Sequence, residues 1–222
     1  THQVPHLEAY FDTDTFLTEA LTLEANKEIS KSVEAEEPFF LLMSHYALHS
    51  PFHSDPRFAQ NYQDSDKSKQ AKAFATLVEG MDKSLGDIMD HLEILGVAED
   101  TLIFFLGDNG SDGPLGGTHK VASSAPLLGK KATHYEGGMR VPFIAAWAKA
   151  DASSEVQKKL PIKAGAITSE LGTIHDIFPT LLGIADVAYT STIDGDNLAP
   201  LLTGGKIDGK RDFLMHFPHS HR

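Results

Sequence analysis

Asp108 and Asn109 set a carboxylate and a side-chain amide side by side, just after the apolar run Leu102-Ile-Phe-Phe-Leu106 and before Gly110. Two oxygen donors of this kind suit a hard cation such as Ca²⁺ or Mg²⁺. The same residues are ordinary turn formers, so spacing alone leaves both readings open. His45, His49 and His53 recur at intervals of four. On a helix they would share one face, as zinc ligands can. Pro51 and the lack of an apolar period argue against a helix there, and no His-Glu-x-x-His pattern accompanies them. A single loop histidine acting as an acid, or donating a hydrogen bond to an anion, is the better reading. Lys130, Lys131 and Arg140 bring positive charge into a glycine-rich stretch of an acidic chain. A bound anion would explain them, and so would a solvated basic patch. Tyr135-Glu136-Gly137-Gly138 reads as a turn whose glycines supply unusual dihedrals, with Glu136 free to hold loop backbone. No nucleophile stands out. Ser124-Ala-Pro126-Leu-Leu128 is a Ser-x-Pro arrangement without an Arg at the fifth place, and Gly-x-Ser-x-Gly and phosphate-cradling loops are both missing.

The elements that must position these residues follow from hydrophobic period. Residues 16–37 carry apolar side chains at Phe16, Ala20, Leu23, Ile29 and Val33, which predicts an amphipathic helix ended by Pro38. Phe39-Phe-Leu-Leu-Met43 is a continuous apolar run, the pattern of a strand buried on both faces. Residues 44–66 read as a long loop. Apolar spacing from Lys67 to Leu95 predicts a long helix stopped by Gly96. Leu102–Leu106 and Val141–Trp147 read as strands on either side of a second long loop, 107–140. Residues 151–163 read as an exposed connection, and 171–185 as a helix kinked at Pro179. Strands alternating with helices predict an α/β fold, a mainly parallel sheet sandwiched by helices, with ligands bound beyond the strands' carboxyl ends. The two long loops are where a site is expected.

The chain has 222 residues and a formal charge of −12, with 19 Lys plus Arg against 31 Asp plus Glu. That balance argues against a nucleic-acid partner, whose phosphates call for basic residues. The absence of Cys removes disulfides, thiolate metal sites and a cysteine nucleophile within these residues. No run of about 18 apolar residues predicts a membrane span. The start at Thr1 without a leader, and the end just after Phe213-Leu-Met-His-Phe217, read as cut termini.

Taken together these residues resemble a type I sulfatase of the alkaline-phosphatase-like superfamily, from about Phe16 to His216. The resemblance rests on Leu102 to Gly110, on Ala125-Pro-Leu-Leu-Gly-Lys-Lys131-Ala-Thr-His-Tyr-Glu136-Gly-Gly-Met-Arg140-Val-Pro142, on Leu48-His49-Ser-Pro51, and on Asp176-Ile-Phe-Pro179-Thr-Leu-Leu182. It implies that Asp108 and Asn109 are ligands of a divalent cation, usually calcium, with magnesium the alternative. It implies that Lys131 and His49 contact the sulfate, with His49 also assisting proton transfer. His119 and His216 are candidates for shaping the substrate pocket. Leu48 stands where the family commonly has Pro. The family's nucleophile is a formylglycine made from Cys or Ser in a Cys/Ser-x-Pro-x-Arg motif, and it is expected upstream, outside this chain, with a further pair of Asp ligands.

On this resemblance residues 1–222 are an incomplete catalytic domain, without the first βα units and most of the small carboxyl-terminal subdomain. The implied activity is hydrolysis of a sulfate ester on a carbohydrate or aryl substrate. The alternatives are a phosphomonoester or phosphonate hydrolase of the same superfamily, and a non-catalytic module that binds sulfated glycans. Sulfated small molecules or glycans are the implied partners, and the family points to the periplasm or secretion.

Overall fold

A computed structural model describes residues 3–111, 123–207, 209 and 211–214. The described residues fall into two units, one built on Thr1–Gly96 and Gly107–Val141, the other on Val97–Leu106 and the chain from Pro142.

The first unit is organised by two helices, α1 (Leu17–Glu34) and α2 (Lys69–Ile94), close to the predicted spans. Most of the residues they bury are small: Thr18, Ala20, Thr22 and Ala25 on α1, with Ala73, Thr76, Gly80 and Ser84 on α2, beside the larger Ile29, Leu77 and Leu92. Small residues let the two backbones approach closely, and this brings the Thr22 and Ser84 hydroxyls to 2.5 Å in the interior. Leu23, expected on the apolar face, is exposed. α2 begins at Ser68, whose hydroxyl accepts from the Ala71 N–H at 3.2 Å, a side-chain cap on an otherwise unpaired donor. It stops as predicted at Gly96, where φ is +72° and glycine carries no Cβ penalty.

Phe39–Met43 belongs to no helix or strand, and Phe40 and Leu42 are 73% and 75% exposed. The run has no ladder partner among the described residues, so the buried strand expected there is not formed. Residues 44–66 run as a loop, as predicted, apart from a short 3-10 turn at Ala59–Tyr62.

The second unit holds the sheet described, β1 (Leu102–Leu106) and β2 (Phe143–Trp147). The two pair antiparallel, Leu102 opposite Trp147 and Leu106 opposite Phe143, so the sheet seen here is not the mainly parallel one expected. Parallel neighbours need a crossover of a dozen or more residues, usually a helix. Between β1 and β2 the described helix is the four-residue α3 (Glu136–Met139), which supplies no such crossover. Both strands are half-buried or exposed rather than covered on two faces.

The stretch expected to be an open connection contains α4 (Glu155–Lys159), capped by Ser154. It is pinned by Gln157, whose amide donates to Glu99 O at 2.7 Å and Lys149 O at 2.8 Å and accepts from Asp151 N–H at 2.9 Å. α5 (Ile177–Ile184) follows a 3-10 turn at Ile174–Asp176, and α6 (Ala199–Leu202) follows it. Pro179 does not break α5, because it is the third residue of the helix, where the backbone N–H would have no helical partner anyway.

Candidate functional site

Backbone hydrogen bonds link the segment of Asp108 and Asn109 to that of Lys131. The Gly110 N–H donates to Gly138 O at 3.0 Å, and the Lys131 N–H donates to Ser111 O, also at 3.0 Å. The Gly137 N–H returns to Leu128 O at 2.8 Å. These bonds tie the Asp-Asn-Gly loop, the lysine and the glycine pair into one structure. Glycine is required at the crossing. A methyl group on Gly110 would overlap the carbonyl oxygen of Gly137, and one on Gly138 would overlap the carbonyls of Thr133 and Lys130. Gly137 and Gly138 are therefore there for close approach; neither has a positive φ, which corrects the expectation of unusual dihedrals.

Two serines brace this crossing. Ser124 donates its hydroxyl hydrogen to Gly137 O at 2.8 Å, and its oxygen lies 2.6 Å from the Ser111 hydroxyl. A hydroxyl has one hydrogen to give, so Ser111 must be the donor to Ser124. Ser124 is thus a brace, with its hydrogen and an oxygen lone pair both engaged. Ser111 was not singled out by sequence, and the only signal for it was its place directly after Asp-Asn-Gly.

Asp108 is exposed and Asn109 half-buried, with the Asn109 amide donating to Gly110 O at 2.9 Å and leaving Oδ1 as an acceptor. A carboxylate and an amide oxygen are the right chemistry for a hard cation. They are two of the roughly six to eight oxygens that calcium takes. Among the described residues no group of three or more His, Asp or Glu side chains is arranged to hold a metal. Lys131 is half-buried. Ala132 beside it has φ +69°, a left-handed backbone that a non-glycine residue adopts at a cost. Glu136 is not holding loop backbone with its side chain as expected, but pairs on the surface with Arg140 at 3.3 Å.

The three loop histidines do not act as a set. His49 is exposed, its backbone N–H donates to Tyr46 O at 3.2 Å, and its ring Nδ1 lies 2.6 Å from Ser50 O. A carbonyl can only accept, so the proton sits on Nδ1 and Nε2 is the nitrogen left for proton exchange. Leu48, just before it, has φ +71°. Proline is locked near −65°, so the backbone found here excludes the residue this position commonly carries in the resembled family.

His45 faces inward, and its Nε2 is 3.2 Å from the Ser84 hydroxyl. The hydrogens along this path have one direction. Thr22 gives its hydrogen to Thr18 O, so Ser84 must donate to Thr22 and accept from His45 Nε2–H. The ring's Nδ1 is then a buried lone pair with no donor among the described residues. Burial pushes the His45 pKa below its ordinary value. His119 and His216 lie outside the described residues.

The Asp176 to Leu182 motif is structural. Asp176 is fully buried, its carboxylate accepts from the Thr173 and Asp196 N–H groups at 2.7 and 2.8 Å, and Arg211 contacts it at 2.6 Å. Thr180 donates to Asp176 O at 2.6 Å and accepts from the Leu198 N–H at 2.8 Å.

Against known proteins, the family described as Sulfatase matches residues 3–187. N-acetylgalactosamine-6-sulfatase of Canis lupus familiaris is 32% identical over 199 residues, which is 89% of this chain and 34% of the relative. Steryl-sulfatase of Homo sapiens is 33% identical over 210 residues, 90% of this chain and 32% of the relative. Among solved structures, the PsFucS1 sulfatase from Pseudoalteromonas sp. superposes with a TM-score of 0.67 at 27% identity, over 86% of this chain and 36% of that one. The chain spans about a third of the length of the curated relatives it matches.

Proposed function

Because the chain belongs to the sulfatase family, we propose that it supplies the middle-to-late part of the catalytic domain of a sulfuric ester hydrolase acting on a sulfated carbohydrate or aryl compound. The observation that carries this reading is the crossing of the Asp108-Asn109-Gly110 loop with the Lys131 to Gly138 segment, which ties two hard oxygen donors to a lysine through the Gly110–Gly138 and Lys131–Ser111 hydrogen bonds.

In this reading Asp108 and Asn109 contribute oxygens to a divalent cation, calcium or magnesium, with the remaining ligands coming from elsewhere. When bound, the cation would polarise the sulfuryl oxygens, and a formylglycine outside this chain would supply the nucleophilic oxygen. Lys131 places positive charge against the sulfuryl oxygens as charge develops there. His49, with Nδ1–H held by Ser50 O, works through Nε2: as the imidazolium it passes a proton to the leaving alcohol oxygen, and it is left neutral. His119 and His216 are the candidates for shaping the substrate pocket. Secretion or a periplasmic location belongs to the same reading. Among the described residues, no helix is long and apolar enough to cross a membrane.

The test is the release of sulfate from an aryl sulfate, and of phosphate from an aryl phosphate, by the natural gene product. Preference for the sulfate ester, lost by about a hundredfold or more in Lys131→Ala and His49→Ala, is expected. Preference for the phosphate ester would assign the chain to the superfamily's phosphomonoester hydrolases instead.

A further inference from the structure

Asn109 is followed by Gly110, the pairing in which an asparagine side chain is most open to attack by its own backbone, because glycine puts no side chain in the way. The reaction is a deamidation. The deprotonated Gly110 nitrogen attacks Asn109 Cγ, the C–N bond to the side-chain amide breaks, and ammonia leaves with the proton it takes up from solvent. The five-membered imide that remains is opened by water, which yields aspartate at one carbonyl and isoaspartate at the other. No redox partner is needed, and water is the only co-reactant.

The fold obstructs each requirement of this reaction. The Gly110 N–H is donated to Gly138 O at 3.0 Å, so the nitrogen that must lose its proton has that proton held against a carbonyl oxygen. Removing it would leave two electron-rich atoms facing each other. The nitrogen must also swing toward Cγ, yet Gly110 is buried and its backbone packs so closely on Gly137 and Gly138 that not even a methyl group would fit. The Asn109 amide, the leaving group, is itself engaged with Gly110 O at 2.9 Å. Behind the crossing, Ser124 holds Gly137 O at 2.8 Å and is held in turn by Ser111 at 2.6 Å.

We propose that Asn109 is a deamidation site kept intact by the Gly110–Gly138 crossing, so that its modification reports opening of this loop. The consequence differs for the two products. Aspartate sets a second carboxylate directly beside Asp108. Isoaspartate inserts a methylene into the main chain just before Gly110 and so removes the register of the Gly110 N–H on Gly138 O; a loop modified in this way does not close again. The inference stands on these hydrogen bonds whether or not Asp108 and Asn109 hold a cation.

The experiment is peptide mapping by mass spectrometry after incubation of the chain at mildly alkaline pH with a chelator present, folded and in urea, scoring aspartate and isoaspartate at position 109. Loss of Asn109 in the folded chain is expected to be at least about tenfold slower than in urea, as for any process that must wait for local opening. Ser124→Ala, which removes the donor to Gly137 O, is expected to deamidate faster than the parent at an unchanged circular dichroism spectrum. Equal rates in the folded and unfolded chains would overturn the proposal. So would a Ser124→Ala protein that folds and is no faster than the parent.

Discussion

Lys131 donates its backbone N–H to the carbonyl of Ser111 at 3.0 Å, two residues beyond Asn109, so the candidate sulfate-binding lysine and the candidate metal loop are held in one hydrogen-bonded frame. Neighbours in the sequence do not explain this. The frame exists because Gly110 and Gly138 let two main chains cross at contact distance, and that dependence is the first thing to test.

Gly110→Ala should force the crossing apart, since its methyl group would overlap Gly137 O, which is backbone and cannot step aside. Overpacking of this kind costs about 1–3 kcal/mol. Gly86, inside α2, is the control: nothing lies within 4 Å of a Cβ built there. Gly86→Ala should stabilise by about 0.5–1 kcal/mol through helix propensity. Urea unfolding of the two variants should therefore shift in opposite directions.

Leu48 and Ala132, at φ +71° and +69°, each adjoin a residue assigned to the chemistry, His49 and Lys131. Left-handed backbone costs a residue with a Cβ roughly 1–2 kcal/mol, and glycine avoids most of it. Leu48→Gly and Ala132→Gly should each raise the urea midpoint or leave it unchanged. Leu48→Pro, the family's common residue, should lower it, because proline cannot reach a positive φ.

Much of the fold was legible because it rests on local signals. α1, α2 and β1 fall where the apolar pattern and the stop at Gly96 put them. The errors share a cause. The continuous run Phe39–Met43 reads as a buried strand on composition, but a strand also needs a partner, and no residue type announces whether one is present. The antiparallel pairing of β1 with β2 was likewise not readable, since strand direction depends on what connects the two, although the α/β fold class itself stands. At the site the types were readable at Asp108, Asn109, Lys131 and His49. What holds them was not: the hydroxyls of Ser111 and Ser124 and the crossing of Gly110 with Gly138 make contacts between residues far apart in the sequence, with no periodic signature.

Cation binding should be visible as stability. A ligand that binds only the folded state stabilises by RT ln(1 + [L]/Kd), about 2.7 kcal/mol at a hundredfold excess over Kd. Added calcium should raise the melting temperature of the parent protein, a chelator should reverse the gain, and Asp108→Ala should abolish it. A rise that survives in Asp108→Ala would place the cation somewhere other than this loop.

His45 should make folding sensitive to mild acid. Burial lowers its pKa from the ordinary 6.5 in the folded state, and its Nε2–H is already committed to Ser84. Above 6.5 the ring is neutral in both states and the fold keeps its full stability. As pH falls below that value the unfolded chain takes up the proton first, so stability drops until pH passes the lower folded pKa. Urea midpoints measured across this window should fall with decreasing pH in the parent, and less steeply in His45→Gln. Equal slopes would mean that His45 is not the group responsible.

Asp176 and Arg211 supply a pH dependence of the same sign at lower pH, in the second unit. Burial alone would raise the Asp176 pKa, but Arg211 and the Asp196 and Thr173 N–H groups outweigh it, and the net shift is downward from 3.8. A carboxyl depressed on folding stabilises above its unfolded pKa and loses that contribution as pH falls through the folded one, so the effect is confined to pH below about 4. At neutral pH the pair is tested by removing one partner. Arg211→Ala strands a carboxylate that is 0% exposed, and breaking a buried pair in this way costs about 3–5 kcal/mol. Asp176→Asn should cost less, because its amide oxygen still accepts from backbone. The double variant should cost less than the sum of the two singles, since the stranded charge is gone. Additive costs in urea unfolding would show that the two side chains stabilise the unit independently.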